Sequence, residues 1–344
     1  MKAEYGTRMS RIVLLAVLLA MLVPAVGRDQ DDAWACFAAA TRLRALVFSP
    51  DGTMLAKADD DSTTQRKRVH LLDVTKGQEV SSFEGGPDIA FLPDGKKLIT
   101  VGKRKSGGLT IRLVMAKTGV DVREFDVPVK IKETVDPALA LSPDGQMLAA
   151  GINGDIRLID VATGKERGKL EGPVEIRTIA FSPDSQTIFT GQSLWDVSSI
   201  TKLRRLEESV PESIFSPDGR ILATLARHGQ SISLWDVTSW KEIRQLERPK
   251  GMFTAITFSP DGANLAAANY IRTGGGGLCN WPTGKGTISL WDVATGSMRH
   301  ELEGSMYEIF VLAFSPDGRT LVSGDIRNGI KFWKMDSGNG PQLR

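Results

Sequence analysis

An all-β fold of seven repeated four-stranded units is what this chain predicts, and three observations predict it. The first is a short phrase written seven times, an apolar residue followed by Ser-Pro-Asp-Gly or a close relative, anchored at Phe48, Phe91, Leu141, Phe181, Phe215, Phe258 and Phe314. Its Asp residues recur at intervals of 43, 50, 40, 34, 43 and 56, a period at which single units cannot bury their apolar faces alone and must stack. The second is another recurring phrase, typified by Ile288 to Gly296, whose other copies centre on Leu72, Val114, Ile159, Trp195, Trp235 and Trp333. The third is the length and type of the apolar runs. Tyr307 to Phe314 and Arg319 to Ser323 are too short and too rich in β-branched or aromatic residues for helices.

Each unit can be justified strand by strand. Ser-Pro-Asp-Gly is a tight turn between the first two strands: Pro presets φ, Asp bonds nearby backbone, and Gly accepts the left-handed conformation. The second phrase is a third strand ending in a Thr-Gly or Ser-Gly turn. A fourth strand follows, as at Lys165 to Leu170 or Ser297 to Leu302, and carries more charge than the others. Unit four is the exception in length. Phe181 and Trp195 are 14 positions apart where other units use 18 to 33, which predicts a middle hairpin turning near Gly191-Gln192, short strands, and a notch roughly opposite the long sixth-unit loop.

On these residues the chain resembles the WD-repeat β-propeller family, in its bacterial form with Phe-Ser-Pro-Asp-Gly turns, from about residue 34 onward. Trp195-Asp196, Trp235-Asp236 and Trp291-Asp292 carry the dipeptide, Leu72-Asp73 and Ile159-Asp160 keep the Asp, and Val114-Met115 and Trp333-Lys334 depart further. The resemblance implies a single seven-bladed propeller over 34–344, with Trp195, Trp235, Trp291 and Trp333 in the blade cores. Gly86-Pro87 and Gly172-Pro173 stand where the family has Gly-His, which predicts that its His-to-Asp relay is missing. Ring closure is assigned to the N-terminal side: Trp34 to Phe37 is expected as the outer strand of the seventh blade, because Phe37 precedes Phe48 by 11 positions, as Leu170 precedes Phe181. A disordered lead-in is the alternative.

Residues 1–27 read as a signal peptide, with a basic start at Lys2, Arg8 and Arg11, an apolar core from Ile12 to Val23, and Ala25-Val26-Gly27 as the cleavage site. Residues 28–33 are a short lead-in. The apolar stretch falls short of the ~20 residues that span a bilayer, so the expected location is extracytoplasmic with no span after cleavage; an N-terminal membrane anchor is the alternative. Without the leader the chain holds 40 basic and 40 acidic residues, and no net field draws nucleic acid or anionic lipid. The two cysteines, Cys36 and Cys279, leave a disulfide or two separate thiols open.

A search for chemistry finds little. The three His, at 70, 228 and 300, form no metal-ligand pair, no Gly-x-Ser-x-Gly elbow occurs, and the glycine-rich Thr273 to Thr287 stretch has neither the spacing nor the helix of a phosphate loop. Asp59-Asp60-Asp61 reads as a solvated acidic turn rather than a calcium loop. The reading is therefore a non-catalytic, monomeric interaction scaffold without cofactor, catalytic residue or metal site, binding a protein or peptide through loops on one face. The residues assigned to that face are Arg66, Lys67, Arg68, Lys103, Arg104, Lys105, Arg227, His228, Tyr270, Arg272, Trp281 and Arg327, an excess of bases with aromatic anchors suited to an acidic partner. The alternative is a propeller enzyme or small-ligand or metal binder in the central channel, where Asp88, Glu175 and Glu308 lie near the inner strands.

Overall fold

A computed structural model describes residues 41–61, 66–86, 88–103, 108–127, 138–152, 154–172, 176–248, 250–273, 284–335 and 342–343. They form seven four-stranded antiparallel sheets, each made of consecutive strands. Blade 1 comprises β1 (Thr41–Phe48) to β4 (Gln78–Glu84), blade 2 β5 (Asp88–Phe91) to β8 (Asp121–Val127), and blade 3 β9 (Ala138–Leu141) to β12 (Glu166–Glu171). Blade 4 runs from β13 (Ala180–Phe181) to β16 (Thr201–Arg205), blade 5 from β17 (Glu212–Phe215) to β20 (Lys241–Glu247), blade 6 from β21 (Met252–Phe258) to β24 (Met298–Ser305), and blade 7 from β25 (Ile309–Phe314) to β28 (Gln342–Leu343).

Burial grades outward as the strand chemistry requires. Second strands such as β10 (Met147–Ile152) and β22 (Asn264–Arg272) are buried on both faces, whereas β16 is exposed at every residue. Side chains of one blade pack on the next: Phe258 of blade 6 joins Leu225, Leu234 and Leu246 of blade 5 in one cluster. Blade 4 is short as its sequence predicts, with β14 (Thr187–Phe189) and β15 (Ser193–Asp196) joined by a turn in which Thr190 N–H donates to Ser193 O at 2.9 Å. Its short hairpin is not opposite the blade-six loop, since only blade 5 stands between them.

The repeated turns form a second ring. In blade 1, Ser49 Oγ donates to Asp51 Oδ1 at 2.6 Å and accepts from Met54 N–H at 2.9 Å, while Gly52 takes φ +71°. Blades 3 to 7 repeat the serine bonds at Ser142, Ser182, Ser216, Ser259 and Ser315. Each turn glycine leaves room for the proline of the preceding blade: a Cβ on Gly95, Gly219, Gly262 and Gly318 would stand 3.3–3.6 Å from Cδ of Pro50, Pro183, Pro217 and Pro260. On Gly145 it would stand 2.6 Å from Pro93. The same relation crosses from the last blade to the first, Gly52 over Pro316 at 3.4 Å. Ser185 replaces glycine in blade 4, at φ +61°, and its Oγ instead accepts the Asp144 N–H of blade 3 at 3.2 Å. Six of the seven junctions are thus made in one way on one end of the barrel of blades, and blade 4 meets blade 3 there through Ser185.

The seventh blade differs from expectation. Its described fourth strand is Gln342–Leu343, paired with Trp333 and Lys334; Trp34 to Phe37, expected as the outer strand, lie outside the described residues. Blades 7 and 1 meet through an apolar cluster of Leu43, Leu46, Phe48, Leu55 and Val322.

Two substitutions test this packing. Gly262→Ala costs about 1–2 kcal/mol for the left-handed backbone, and Gly145→Ala a further 1–3 kcal/mol or so because the methyl meets Pro93; urea unfolding of the two variants side by side measures the difference. Trp291→Ala, at a side chain 7% exposed and set edge-on to Phe253, costs about 3–5 kcal/mol in the same assay.

Candidate functional site

Strands alternate in direction, so the Ser-Pro-Asp-Gly turns lie on one end of the ring and the second-to-third loops and blade-to-blade connections on the other. The loop end is where the sequence places its partner residues, and the structure sorts them. Arg227 and His228 are exposed in the tight turn between β18 (Ile221–Leu225) and β19 (Ser231–Asp236), and Arg272 is exposed at the end of β22. Arg327 is half-buried with its guanidinium over the Tyr307 ring at 4.6 Å. Lys67 and Arg68 are half-buried on β3 (Arg66–Asp73), where Arg68 donates to Ser82 Oγ at 2.7 Å, so they brace blade 1. Arg66 and Lys103 stand at strand ends, at the start of β3 and the end of β6 (Lys97–Lys103). Arg104, Lys105, Trp281, Cys36, Cys279 and Glu175 lie outside the described residues.

Tyr270 is not a surface anchor. It is 4% exposed, and the backbone of Gly284 closes over its ring, where a Cβ would come within 2.5 Å of Cζ. Asp59 is also not in a solvated turn. It lies on β2 (Met54–Asp61), 5% exposed, beside Lys57 Nζ at 3.1 Å and His70 Nε2 at 3.4 Å. Burial pushes its carboxyl up, yet His70 and Lys57 outweigh this and hold it below its usual range; His70 is raised in return, first by its hydrogen bond to Asp59.

The four core tryptophans sit as expected, Trp195, Trp291 and Trp333 buried and Trp235 half-buried. Their indole N–H groups find partners as well as packing: Thr190, Thr224, Ser289 and Ser323 accept from them at 3.3, 2.9, 2.8 and 3.0 Å. The Asp of the dipeptide serves the outer hairpin: Asp292 accepts the Thr295 N–H and hydroxyl at 2.7 and 2.8 Å, which first among its contacts holds its carboxyl to about 2. In blade 7, Ser305 after Gly304 donates to Asp325 at 2.7 Å, standing where the family pattern has His.

Four residues at the channel mouth were missed in the sequence. Exposed large apolar side chains on outer strands, such as Val122 and Ile243, belong to the rim, but Met252, Met306 and Phe310 are 46, 72 and 37% exposed at the loop end of blades 6 and 7. Thr254 Oγ1 donates to Ile309 O at 2.6 Å, tying their first strands together, and Gly229 O accepts Phe253 N–H at 2.7 Å, bringing the Arg227-His228 turn beside Met252. The fourth is Glu212. It lies three positions before its anchor Phe215, where the other blades have Ala45, Asp88, Ala138, Thr178, Ala255 and Val311, and that offset was the available signal. Glu212 Oε1 accepts the Ile256 N–H of the next blade at 3.1 Å, and burial pushes its carboxyl up to about 7. Glu308 is likewise raised by burial. A cavity of ≈ 210 Å³ borders the first strands of blades 1 to 3, lined by Asp88 and otherwise by Ala, Ile, Leu and Val. Among the described residues no group of three His, Cys, Asp or Glu is placed to hold a metal, and no helix is long and apolar enough to cross a membrane.

Seven four-stranded blades, three of them ending the third strand in Trp-Asp, define the class. The family described as WD domain, G-beta repeat, matches residues 296–334, and the chain is a WD-repeat β-propeller. It is 28% identical over 225 residues to telomerase protein component 1 of Rattus norvegicus, a match covering 63% of this chain and 8% of that protein. It is 22% identical over 306 residues to the rat apoptotic protease-activating factor 1, covering 85% and 22%, and 27% identical over 191 residues to the WD repeat-containing protein SL1-17 of Schistosoma mansoni, covering 55% and 47%. The chain therefore spans under a quarter of the two rat proteins.

Because Glu212 is an ordinary carboxylic acid near 4.5 when unfolded and titrates near 7 when folded, the folded state binds the extra proton between those values. Stability is greatest below about pH 4.5 with respect to this group and falls as pH rises to about 7, by up to about 3 kcal/mol. Urea unfolding of wild type against Glu212→Gln across pH 5–8 is expected to show that slope in the first and a flatter profile in the second.

Proposed function

We propose that the protein is a non-catalytic scaffold that binds a protein partner at the loop end of blades 6 and 7. The observation that carries this is the exposure of Met252, Met306 and Phe310 at the channel mouth, away from the outer strands, with Arg227, His228 and Arg327 around them. Apolar and aromatic anchors within a cationic rim suit an apolar side chain flanked by carboxylates. Likeness to WD-repeat propellers supports a scaffold role, and one relative is by name a component of telomerase. The channel cavity, at ≈ 210 Å³ and with Asp88 as its acid, is smaller than the ~300–1,000 Å³ of ordinary ligand pockets, which weighs against the small-ligand alternative. The leader-like residues 1–27 support an extracytoplasmic location, so the partner is sought in the cell envelope.

Capture from an envelope fraction tests the reading. Wild type and the outer-strand control Met298→Ser retain a specific protein, and Phe310→Ser combined with Met306→Ser loses at least tenfold of it. Equal retention by all three contradicts the mouth as the site. A copurifying metal or small molecule with no protein bound would favour the channel.

A further inference from the structure

Three connections between blades repeat one phrase at the end of the outer strand: Phe83-Glu84-Gly85, Leu170-Glu171-Gly172 and Leu302-Glu303-Gly304. Each glycine is wedged, since a Cβ there would come within 2.7, 2.8 and 2.5 Å of the Val69, Ile176 and Ile309 side chains. The connection from blade 5 to blade 6 reads Leu246-Glu247-Arg248 instead. A long cationic side chain thus stands where these siblings have none. Arg248 reaches across to blade 6, donating from Nη2 to Glu301 Oε1 at 2.6 Å and from Nη1 to Thr287 Oγ1 at 3.3 Å, while Thr287 Oγ1 donates to the same Glu301 oxygen at 2.9 Å. The Arg248 side chain is only 12% exposed, and its hydrogen bond holds the Glu301 carboxyl below its usual range.

The facing wall comes from the hairpin of blade 6, whose strands β22 and β23 (Gly284–Asp292) have nine residues each, more than any other described strand. The added length sets Ile271 opposite Lys285. A cavity of ≈ 290 Å³ results, lined by Arg248, Lys250, Ile271, Lys285, Thr287 and Glu301. Arg248 is paired with Glu301, and Lys285 with Glu303 at 2.6 Å. Lys250 is exposed and has no ion pair among the described residues. We propose that this cleft between blades 5 and 6 binds a carboxylate, at a site separate from the apolar mouth and not dependent on it. Lys250 supplies the unmatched charge, Arg248 supplies directed N–H groups already fixed by Glu301 and Thr287, and Ile271 gives an apolar wall for the carbon next to the carboxylate. One cation in excess suits a monoanion, whereas a dianion such as sulfate would bring a second negative charge against Glu301 with nothing to pair it. The ligand is a free short-chain acid or the Asp or Glu side chain of a protein, which present the same group.

Amide chemical shifts of the full chain read the site directly, with propionate as the probe and sodium chloride holding the ionic strength constant. Propionate is expected to move the Lys250, Ile271 and Thr287 amides saturably in wild type and in the control Lys241→Gln. It binds at least fivefold more weakly to Arg248→Gln and to Lys250→Gln. Because Lys250 is exposed, its substitution leaves the fold intact even where Arg248→Gln loosens the connection. The absence of saturable shifts in wild type, undiminished binding by Lys250→Gln, or tighter binding of sulfate than of propionate would each overturn the proposal. Capture from the envelope fraction then separates the two sources. A Lys250→Gln variant that loses both propionate and the captured protein places that partner's carboxylate in the cleft, and one that loses propionate alone assigns the cleft to a free acid. The propionate result stands whether or not a partner is captured at the mouth.

Discussion

The contact on which the ring depends is the seat of each turn glycine over the proline of the preceding blade. A proline ring is a rigid apolar plate, and the glycine of the next turn, chosen for its positive φ, lies against it at van der Waals distance, with Gly145 over Pro93 the one seat that also excludes a Cβ. Because the relation recurs from Pro50–Gly95 round to Pro316–Gly52, six of the seven contacts between neighbouring blades at this end share one local geometry, the contact between the last blade and the first included. Blade 4 keeps the seat with Ser185 by substituting a hydrogen bond to Asp144 N–H for the bare glycine. In six of the seven turns the opening serine stabilises the turn from within, taking one backbone donor and giving its own hydrogen to the Asp carboxylate, whereas blade 2 has Leu92 there.

Outside that ring, cohesion is distributed between packing and short polar links. The four blade-core tryptophans do more than fill space, since each indole N–H is satisfied by a serine or threonine of its own blade, which removes the penalty of burying it. The Asp that follows tryptophan serves a neighbouring purpose, fixing the outer hairpin turn through its oxygens. Blade 7 shows how the two systems are joined at the loop end, with Ser305 bonded to Asp325.

Much of this was legible in the sequence because turn chemistry is local. Ser-Pro-Asp-Gly announces a turn through four residues, and strand number and order follow from its recurrence. The burial of Tyr270 was not legible, because what covers it is the backbone of Gly284 across the hairpin, and an aromatic residue beside a long loop looks the same whether it faces in or out. Asp59 was misread for a related reason: three acids in a row suggest solvent, whereas strand alternation sends Asp59 inward to Lys57 and His70. The channel-mouth residues Met252, Met306 and Phe310 belong to no repeated phrase, so only the curvature of the ring reveals that they share an end. Glu212 was readable by its offset from Phe215, but its proton affinity comes from the neighbouring blade.

The central claim is that the turn seats couple each blade to the next, including the last to the first. Hydrogen exchange on a Pro316→Ala variant tests it most directly. The account predicts faster exchange at the β1–β2 turn of blade 1 as well as within blade 7, with blades 3 and 4 unchanged. Faster exchange confined to blade 7, with Gly52 and its neighbours as protected as before, would contradict it.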